Sequence, residues 1–517
     1  MSHAQQSDSQ HLAEFGYKQE LHRTLGGFSS FAAGFSYISI LTGMFQTSYL
    51  GFALAGSAFS WTWLVVLSGQ FMVALQFAEL SAHYPLAGSV YQWSKRVAGR
   101  SWAWNTGWIY LVAQIVTVPA VAIGWQVVLP AINSNFQLVG SPADGANYLA
   151  ADYAKNGLIL GMIMVGLTTI INIAGVSVMS RINNIGVIAE LVGASGLILL
   201  FLIHANRGPQ DVLTDTANTG SAHGSLGYLG ALLIGAIMPL YVMYGFDTAG
   251  SLAEETSDPR RKAPRAVLQA LATAGIMGFL LIVFGAMAVS DAGKANLGAT
   301  GLSGITTDVL GSTWGKVFLA DVAVAIFVCC LAIHAMSVRI LFAMGRDNNL
   351  PFASALAHVS GNRRVPVAPA IVTGAIAFLI LAINIQNPKA FVIIISMGII
   401  FIYMAYLGVT IPLLQRRMQG WPRDLPSAND GLFSLGNLGM ITNVIAIVYG
   451  AGMAINLAWP RDYFYGTEWY QQYGPMIFAP LAVVIGLVLY YGYQQHRTEI
   501  LPEHRAEVAA AAAAETV

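Results

Sequence analysis

Two carboxylic acids interrupt long apolar stretches of this sequence. Glu190 lies within the run 182–198, and Asp247 follows the run Tyr241-Val-Met-Tyr-Gly-Phe. A carboxylate in apolar surroundings is costly unless it faces protein or a water-filled cavity, where it can bind and release a proton or a cation. Gly245, two residues before Asp247, weakens any helix that contains it. The pattern indicates a broken helix beside an acid, which is typical of a small-molecule or ion site.

Composition decides the class of protein that surrounds these acids. The chain has 517 residues, of which 56% are hydrophobic and 10% charged, against about 25% charged in soluble domains. We therefore predict an integral membrane protein. The net charge is zero, which gives no reason to expect a nucleic-acid partner. The adjacent Cys329 and Cys330 cannot join distant segments, and the polar first 24 residues contain no signal-peptide core.

Apolar segments long enough to cross a bilayer recur along the chain, since a crossing helix needs about 20 apolar residues. We predict twelve of them, near 27–55, 60–82, 101–131, 157–176, 182–204, 228–253, 265–290, 316–343, 367–385, 390–414, 437–458 and 475–494.

Cationic residues predict the orientation of these segments. With the amino terminus in the cytoplasm, 19 of the 25 Lys and Arg residues fall on the cytoplasmic side. The other six are Lys155, Arg207, Lys294, Lys316, Lys389 and Arg461. This bias predicts a multi-pass protein of the cell (plasma or inner) membrane, in contact with lipid, with both termini cytoplasmic.

Two predicted breaks lie at corresponding places of the chain. The first segment contains Thr42-Gly43 near its middle, and the sixth contains Gly245. Broken helices at matching positions of two halves point to an inverted-repeat secondary transporter. The halves share no obvious residue-by-residue repeat, so this inference rests on spacing, and close helix packing is the alternative explanation for such glycines. The predicted parts are an N-terminal segment 1–24, repeats 25–204 and 205–415, two helices in 416–496, and a tail 497–517.

Three stretches resemble one known family. They are Glu79-Leu-Ser-Ala-His-Tyr-Pro-Leu-Ala-Gly-Ser-Val-Tyr91, the stretch from Phe246 to Pro264, and Arg339-Ile-Leu-Phe-Ala-Met-Gly-Arg-Asp-Asn-Asn-Leu-Pro351. They are similar to signatures of the amino acid–polyamine–organocation (APC) superfamily, nearest its amino acid–choline transporter branch. The resemblance spans roughly residues 20 to 495 and implies an all-α fold like that of the bacterial leucine transporter, with two inverted five-helix repeats and two further helices.

The resemblance also implies a substrate site at the two breaks. Backbone amides of the first break would hold a substrate carboxylate, and carbonyls of the second would hold an ammonium group. Leu41 departs from the family, where glycine is usual. The implied site residues are Ile40, Leu41, Thr42, Gly43 and Met44 of the first segment, and Tyr241, Val242, Met243, Tyr244, Gly245, Phe246 and Asp247 of the sixth.

Glu190 is the predicted proton-coupling residue. In proton-coupled permeases of the superfamily a lysine often takes this place, near the sodium site of sodium-coupled relatives. A buried glutamate can bind and release a proton near neutral pH, although a neutral structural role is the alternative. Sodium is not excluded, because hard oxygen groups are available from carbonyls near Thr42 and from Ser337.

Other polar residues have simpler interpretations. Glu254 and Glu255 lie near Arg260, Arg261 and Lys262 in sequence and are interpreted as interfacial charges that could form gate pairs. Gln114, Tyr403 and the tryptophans of the third segment could line a pocket, with packing the alternative.

These observations favour import of a small amino acid or related amine, coupled to protons, by alternating access. A transporter of choline, ethanolamine or a polyamine is one alternative, and a nutrient sensor that binds without transport is another. An enzyme is disfavoured because the sequence contains no catalytic constellation, metal-binding cluster or phosphate loop, and no cofactor is expected.

Overall fold

A computed structural model describes residues 12–21, 23–142, 151–216, 226–290, 297–361, 365–385, 390–425, 427, 430–461, 465, 468–497 and 499–506. The first eleven residues of the predicted N-terminal segment and residues 507–517 of the predicted tail lie outside these ranges. Four cations used to predict orientation also lie outside them: Lys294, Arg363, Arg364 and Lys389.

The described chain is almost entirely helical. Its α-helices, numbered in chain order, are α1 Gly27–Ile38, α2 Ile40–Ala55, α3 Ser60–His83, α4 Ser89–Ala98, α5 Arg100–Ala122, α6 Trp125–Ile132, α7 Ala151–Ala174, α8 Val176–Ile203, α9 Pro209–Leu213, α10 Tyr228–Gly235, α11 Ile237–Val242, α12 Thr248–Ser251, α13 Pro259–Ala288, α14 Leu297–Arg346, α15 Ala353–Ala357, α16 Val367–Ile383, α17 Ala390–Met418, α18 Gly439–Ala458, α19 Trp469–Gln472 and α20 Gly474–Leu489.

Within the described ranges, ten helical stretches are long and apolar enough to cross a membrane. Two further apolar helices, Tyr228–Val242 and Val367–Ile383, are shorter and correspond to the sixth and ninth predicted segments. The largest difference in bounds is at α14, which begins at Leu297 although the eighth segment was predicted from residue 316. Gly301 and Gly311, with φ of 55° and 74°, kink α14 before its long apolar part. The fold is thus the predicted all-α membrane protein.

Both ends of the described chain meet at one end of the helix bundle. Tyr17 forms an isolated bridge with Arg505. The Lys18 amide donates to the His504 carbonyl at 3.0 Å, and His504 Nδ1 lies 2.6 Å from Glu20 Oε2. We call this end the terminal face, and the other end the opposite face.

Glycines set the spacing between some of the central helices. Helix α13 packs along α3, and α17 packs along α5. A Cβ added to Gly278 of α13 would lie 2.1 Å from Cζ2 of Trp63 in α3. The Trp63 indole donates to the carbonyl of Gly275 at 2.7 Å. Because Trp63 is fully buried, the α3–α13 distance depends on the absence of a side chain at residue 278.

We predict that Gly278→Leu destabilises the protein by separating α13 from α3. Overpacking a dense core usually costs about 1–3 kcal/mol, so the thermal midpoint in detergent should fall by several degrees. Gly452→Leu in α18 is the matched control, because nothing lies within 4 Å of a Cβ at residue 452. Equal midpoints for the two variants would contradict this packing account.

Candidate substrate site

The first helix break lies at Ser39, between α1 and α2. Ser39 has φ 35° and ψ 91°, outside the helical region, and its side chain accepts a hydrogen bond from the Thr42 amide at 3.3 Å. The predicted break on residues 40–44 was wrong in position, because Ile40 to Met44 already form the start of α2. The physical reason is that a serine at this position caps the following helix.

Gly43 has a different role from the predicted one. Its amide donates to the Ser39 carbonyl at 3.0 Å, so it is part of a regular helical turn. A Cβ added there would lie 2.6 Å from Cγ2 of Val242. Gly43 therefore allows close contact between α2 and the end of α11. Close helix packing, rather than a helix break, explains this glycine.

Glu190 of α8 lies at the first break. Its Oε1 accepts hydrogen bonds from Ser39 Oγ at 2.9 Å and from the Leu41 amide at 3.1 Å. Glu190 is only 1% exposed, and its Oε2 has no hydrogen-bond partner among the described residues. The carboxylate thus occupies the N-terminus of α2, where free amides and the helix dipole attract an anion.

The second break separates α11, which ends at Val242, from α12, which begins at Thr248. Gly245 has φ +87°, and its amide donates to the Tyr406 hydroxyl at 2.9 Å. A Cβ at residue 245 would lie 1.8 Å from Cδ1 of Tyr37, so the Tyr37 ring lies directly against this backbone. The break was predicted on residues 241–245, but Tyr241 and Val242 are the last residues of α11.

Asp247 anchors the second break to three other elements. Its Oδ2 accepts hydrogen bonds from Ser89 Oγ at 2.9 Å and from the Tyr110 hydroxyl, and its Oδ1 accepts one from the Tyr406 hydroxyl at 2.5 Å. Asp247 is fully buried. The donors belong to α4, α5 and α17, so this carboxylate holds the broken segment in the bundle through neutral partners.

A small cavity lies between the two breaks, with a volume of about 10 Å³. This is room for about one water molecule, so a substrate enters only when the surrounding side chains or helices move apart. The lining residues are Tyr37, Ile38, Thr42, Gly43, Thr117, Val121, Tyr241, Tyr244, Cys329 and Ile333.

The structure brings together part of the predicted site. Thr42, Gly43, Tyr241 and Tyr244 line the cavity. The other predicted residues do not line it: Ile40, Leu41, Met44, Val242, Met243, Gly245, Phe246 and Asp247. The sequence analysis missed Tyr37, Thr117 and Cys329, which lie on three different helices and carry no local signal.

Gln114 lies next to this cavity, because its Oε1 accepts a hydrogen bond from the Tyr37 hydroxyl at 2.7 Å. Its Nε2 is buried and has no partner among the described residues. Trp104 and Trp108 instead donate to the carbonyls of Asn349 and Ala482, and the Tyr403 hydroxyl accepts from Gln70 at 2.7 Å. These three side chains are packing residues.

Asp321 of α14 is a further acid that the sequence analysis missed. It lies within an apolar span of the described chain, and its Oδ2 has no hydrogen-bond partner there. The signal that would have found it is the same as for Glu190, an acid inside an apolar run.

A larger cavity, with a volume of about 380 Å³, lies between the ends of α8 and α13 and the start of α14. It is lined by His204, Asn206, Asp308 and apolar neighbours and touches neither break. The breaks, rather than cavity size, therefore define the candidate site.

Buried ion pairs close the terminal face. Arg346 donates to both oxygens of Glu254 at 2.9 Å, and Arg339 donates to both oxygens of Glu255 at 2.9 and 3.0 Å. All four side chains are buried. Glu254 and Glu255 form gate-like pairs with α14, and not with Arg260, Arg261 or Lys262 as their sequence spacing suggested.

The N-terminal segment adds to this closure. The Tyr17 hydroxyl donates to Asp347 Oδ1 at 2.8 Å, and the guanidinium of Arg346 lies 3.9 Å from the centre of the Tyr17 ring. Lys95 Nζ lies 2.6 Å from Asp347 Oδ2. Burial raises the pKa of Asp347, but Lys95 and Arg346 outweigh burial and hold that pKa below its ordinary value. Asp347 therefore stays ionised, and its ion pair holds α4 and α14 together.

Comparison with known proteins shows which family the chain belongs to. The sequence model of the amino acid permease family matches residues 25–488. The chain belongs to the amino acid permease family. The permease is 29% identical over 493 residues to the amino-acid permease BAT1 of Arabidopsis thaliana, covering 92% of each chain. It is 25% identical over 468 residues to the BAT1 homolog of Oryza sativa subsp. japonica, covering 87% of this chain and 88% of the relative. Amino-acid permease 2 of Neurospora crassa is 22% identical over 505 residues, covering 95% and 88%.

The resemblance to the APC superfamily is thereby confirmed, and the permease is a multi-pass membrane protein that transports amino acids. The matches do not single out the amino acid–choline branch.

We predict that Gly43→Ala reduces amino-acid uptake because its methyl group displaces Val242 and separates α2 from α11. Val242→Ala removes the colliding Cγ2 and should restore uptake when it is combined with Gly43→Ala. Uptake into proteoliposomes, normalised to folded protein by gel filtration, measures both. If the double variant is as impaired as Gly43→Ala, the contact with Val242 is not the reason for the glycine.

A second prediction concerns the closed terminal face. Glu254→Gln leaves the charge of Arg346 buried and uncompensated, which costs about 3–5 kcal/mol and should open the face more often. Cys329 lines the central cavity, so its labelling by a charged maleimide in a Cys330→Ser background should accelerate. Glu499→Gln, which removes an exposed partner of Arg505, is the control. Unchanged labelling in the Glu254 variant would show that this pair does not control access.

Proposed function

We propose that this permease is a secondary active transporter that imports a small amino acid or a related amine, coupled to protons. Transport proceeds by alternating access around the cavity between the Ser39 break and the break at residues 243–247. The observation that carries the proposal is the pair of facing breaks with a small cavity between them, to which both broken segments contribute residues.

The cavity offers complementary groups to a zwitterion. The N-terminus of α2 presents amides to a carboxylate, and the interrupted backbone after Val242 presents carbonyls to an ammonium group. Gln114 Nε2 is a buried donor without a partner among the described residues and supplies a further contact for a substrate oxygen.

The membrane arrangement belongs to the same proposal. The two shorter apolar helices also cross the bilayer, which makes twelve crossings in two inverted five-helix repeats, 25–204 and 205–415, and two further helices. The terminal face is cytoplasmic, in line with the cationic bias of the sequence. The described state is then closed toward the cytoplasm by the pairs of Glu254 and Glu255.

Glu190 couples the proton to the substrate by competition for one site. When ionised, its carboxylate holds the Leu41 amide and the Ser39 hydroxyl at the N-terminus of α2. A substrate carboxylate entering there meets a like charge and occupied donors. Protonation removes that charge, and the Glu190 hydroxyl can then donate to Ser39. The positive end of the α2 dipole is then free to attract the substrate carboxylate. Release of the proton inside restores the competition and expels the substrate.

We predict that Glu190→Gln binds substrate with an affinity that no longer depends on pH, and that it loses accumulation driven by a pH gradient. In the wild type, affinity should increase as pH falls, by about tenfold for each pKa unit of coupling between the two carboxylates. Labelled L-alanine, γ-aminobutyrate, choline and putrescine, each assayed separately in proteoliposomes, provide the measurement, and they also identify the substrate class.

The same assay distinguishes proton coupling through Glu190 from sodium coupling and from a sensor that does not transport. Uptake that requires a sodium gradient at equal pH, or full proton-driven accumulation by Glu190→Gln, would refute proton coupling through Glu190. Binding without accumulation would indicate a sensor.

An organic cation is the second candidate substrate. The rings of Tyr37, Tyr241 and Tyr244 lie together, with Tyr244 5.9 Å from Tyr37 and 6.3 Å from Tyr241 between ring centres. Clustered aromatic rings favour cations such as choline. Uptake of choline or putrescine, with none of L-alanine or γ-aminobutyrate, would favour this candidate.

A further inference from the structure

Asp321 touches helix α8 one turn from Glu190. A Cβ added to Gly193 would lie 1.7 Å from Asp321 Oδ2, so the carboxylate lies directly against the glycine backbone. Glu190 and Gly193 are three residues apart in one helix, and such residues share a face with about 5–6 Å between their Cβ positions. Asp321 therefore lies against the face of α8 that carries Glu190, close enough for the two charges to interact.

Each acid has one carboxylate oxygen that accepts no hydrogen bond from the described residues. Glu190 Oε2 and Asp321 Oδ2 are buried atoms without a hydrogen-bond partner among the described residues. A buried polar atom without a partner costs about 1–3 kcal/mol, and more when charged. A proton shared between two neighbouring carboxyl groups would relieve this cost.

The two acids differ in exposure and in depth. Glu190 is 1% exposed, whereas Asp321 is partly exposed. Helix α8 begins near the terminal face, where Val176 and Met179 pack beside Arg339 and Glu255. Gly193 is about 4.5 Å further along α8 than Glu190. Asp321 therefore lies on the side of Glu190 that leads to the opposite face.

Among the described residues, the groups that act on Glu190 and Asp321 include no basic side chain. Helix α14 also places the thiol of Cys329 beside the hydroxyls of Ser39 and Thr42. The other charged or histidine side chains of the packed helices are Arg181 of α8 and His204 directly after it, Asp152 and Lys155 of α7, Arg260, Arg261, Lys262 and Arg265 of α13, and Asp308, Lys316, His334, Arg339 and Arg346 of α14.

We propose that Asp321 relays protons to Glu190 from the opposite face. The Asp321 carboxyl gives its proton to Oε2 of Glu190 beside Gly193, which leaves Asp321 ionised and Glu190 neutral. Asp321 then takes a new proton from the solution on the opposite face. No oxidant or other reactant is required. This relay rests on the proposed function, in which Glu190 is the coupling site and the opposite face is extracellular.

A relay affects the rate of proton delivery and leaves the equilibrium set by Glu190 unchanged. Asp321→Asn should therefore slow the initial rate of proton-driven uptake by roughly tenfold, a modest share of what a positioned acid contributes. The loss should grow as the external pH rises, because protons become scarce. The final accumulation should stay at the wild-type level, and so should exchange of labelled for unlabelled substrate at equal, low pH.

Three further variants separate a relay from a structural role. Asp321→Glu keeps the acid and should recover most of the rate. Gly193→Ala keeps Asp321 but pushes its carboxylate away from α8, and should reproduce the Asp321→Asn profile. Asp308→Asn removes an exposed acid earlier in α14 and should behave as the wild type.

The experiment measures uptake of labelled L-alanine, γ-aminobutyrate, choline and putrescine, each alone, into proteoliposomes across a range of external pH. A slowed rate with unchanged final accumulation in Asp321→Asn, together with lost accumulation in Glu190→Gln, supports the relay. Wild-type rates at all pH values in Asp321→Asn, with Glu190→Gln still uncoupled, overturn the relay alone. Equal loss of uptake and exchange in Asp321→Asn and Asp321→Glu also overturns it, because that is a structural defect. Proton-driven accumulation by Glu190→Gln overturns both this relay and the coupling role of Glu190.

Discussion

The central constraint in this permease is that each helix break is held by one buried carboxylate. Glu190 binds the N-terminus of α2 through the Leu41 amide and the Ser39 hydroxyl. Asp247 binds the second break to α4, α5 and α17 through Ser89, Tyr110 and Tyr406. A broken helix exposes backbone groups that hydrocarbon cannot satisfy. Glu190 satisfies one such group directly, the Leu41 amide, and Asp247 holds the Tyr406 hydroxyl that accepts from the Gly245 amide. Both acids also fix where the broken segments lie relative to the rest of the bundle.

The two carboxylates, Glu190 and Asp247, restrict the movement of their helix breaks to different degrees. Asp247 has donors on three elements, so the second break moves only if α4, α5 and α17 move with it. Among the described residues, Glu190 has donors at the first break alone, and its Oε2 has no hydrogen-bond partner. The contact between Gly43 and Val242 then passes a shift of α2 on to α11. A change in the charge of Glu190 is therefore the change best placed to move one break against the other.

Much of the architecture follows from patterns that the sequence displays. Runs of apolar residues predicted the ten long apolar helices and the two shorter ones, and acids inside those runs singled out Glu190 and Asp247, which lie at the two breaks. The position of the first break could not be read in this way, because Gly43 gives the same local signal for a break and for a close contact. Only the position of Val242 in space distinguishes the two. Tyr37, Thr117 and Cys329 come together from helices far apart in sequence. The partners of Glu254 and Glu255 were missed for the same reason, since Arg346 and Arg339 lie more than 80 residues away.

Two sets of acids in the described part of the permease differ in whether they have a cationic partner. Glu254, Glu255, Glu79 and Asp347 each pair with a cation: Arg346, Arg339, Arg417 and Lys95. Removing the charge of one of them would leave a buried cation unpaired, which costs several kcal/mol, and these pairs hold the helices at the terminal face. Glu190 and Asp321 have no cationic partner among the described residues, and of the two neutral donors to Glu190 the Ser39 hydroxyl can reverse direction. Ser39 can donate to an ionised carboxylate or accept from a protonated one. In the proposed mechanism, protonation of Glu190 therefore leaves no charge stranded, and the charge at the centre of the bundle changes while the ion pairs of the terminal face stay formed.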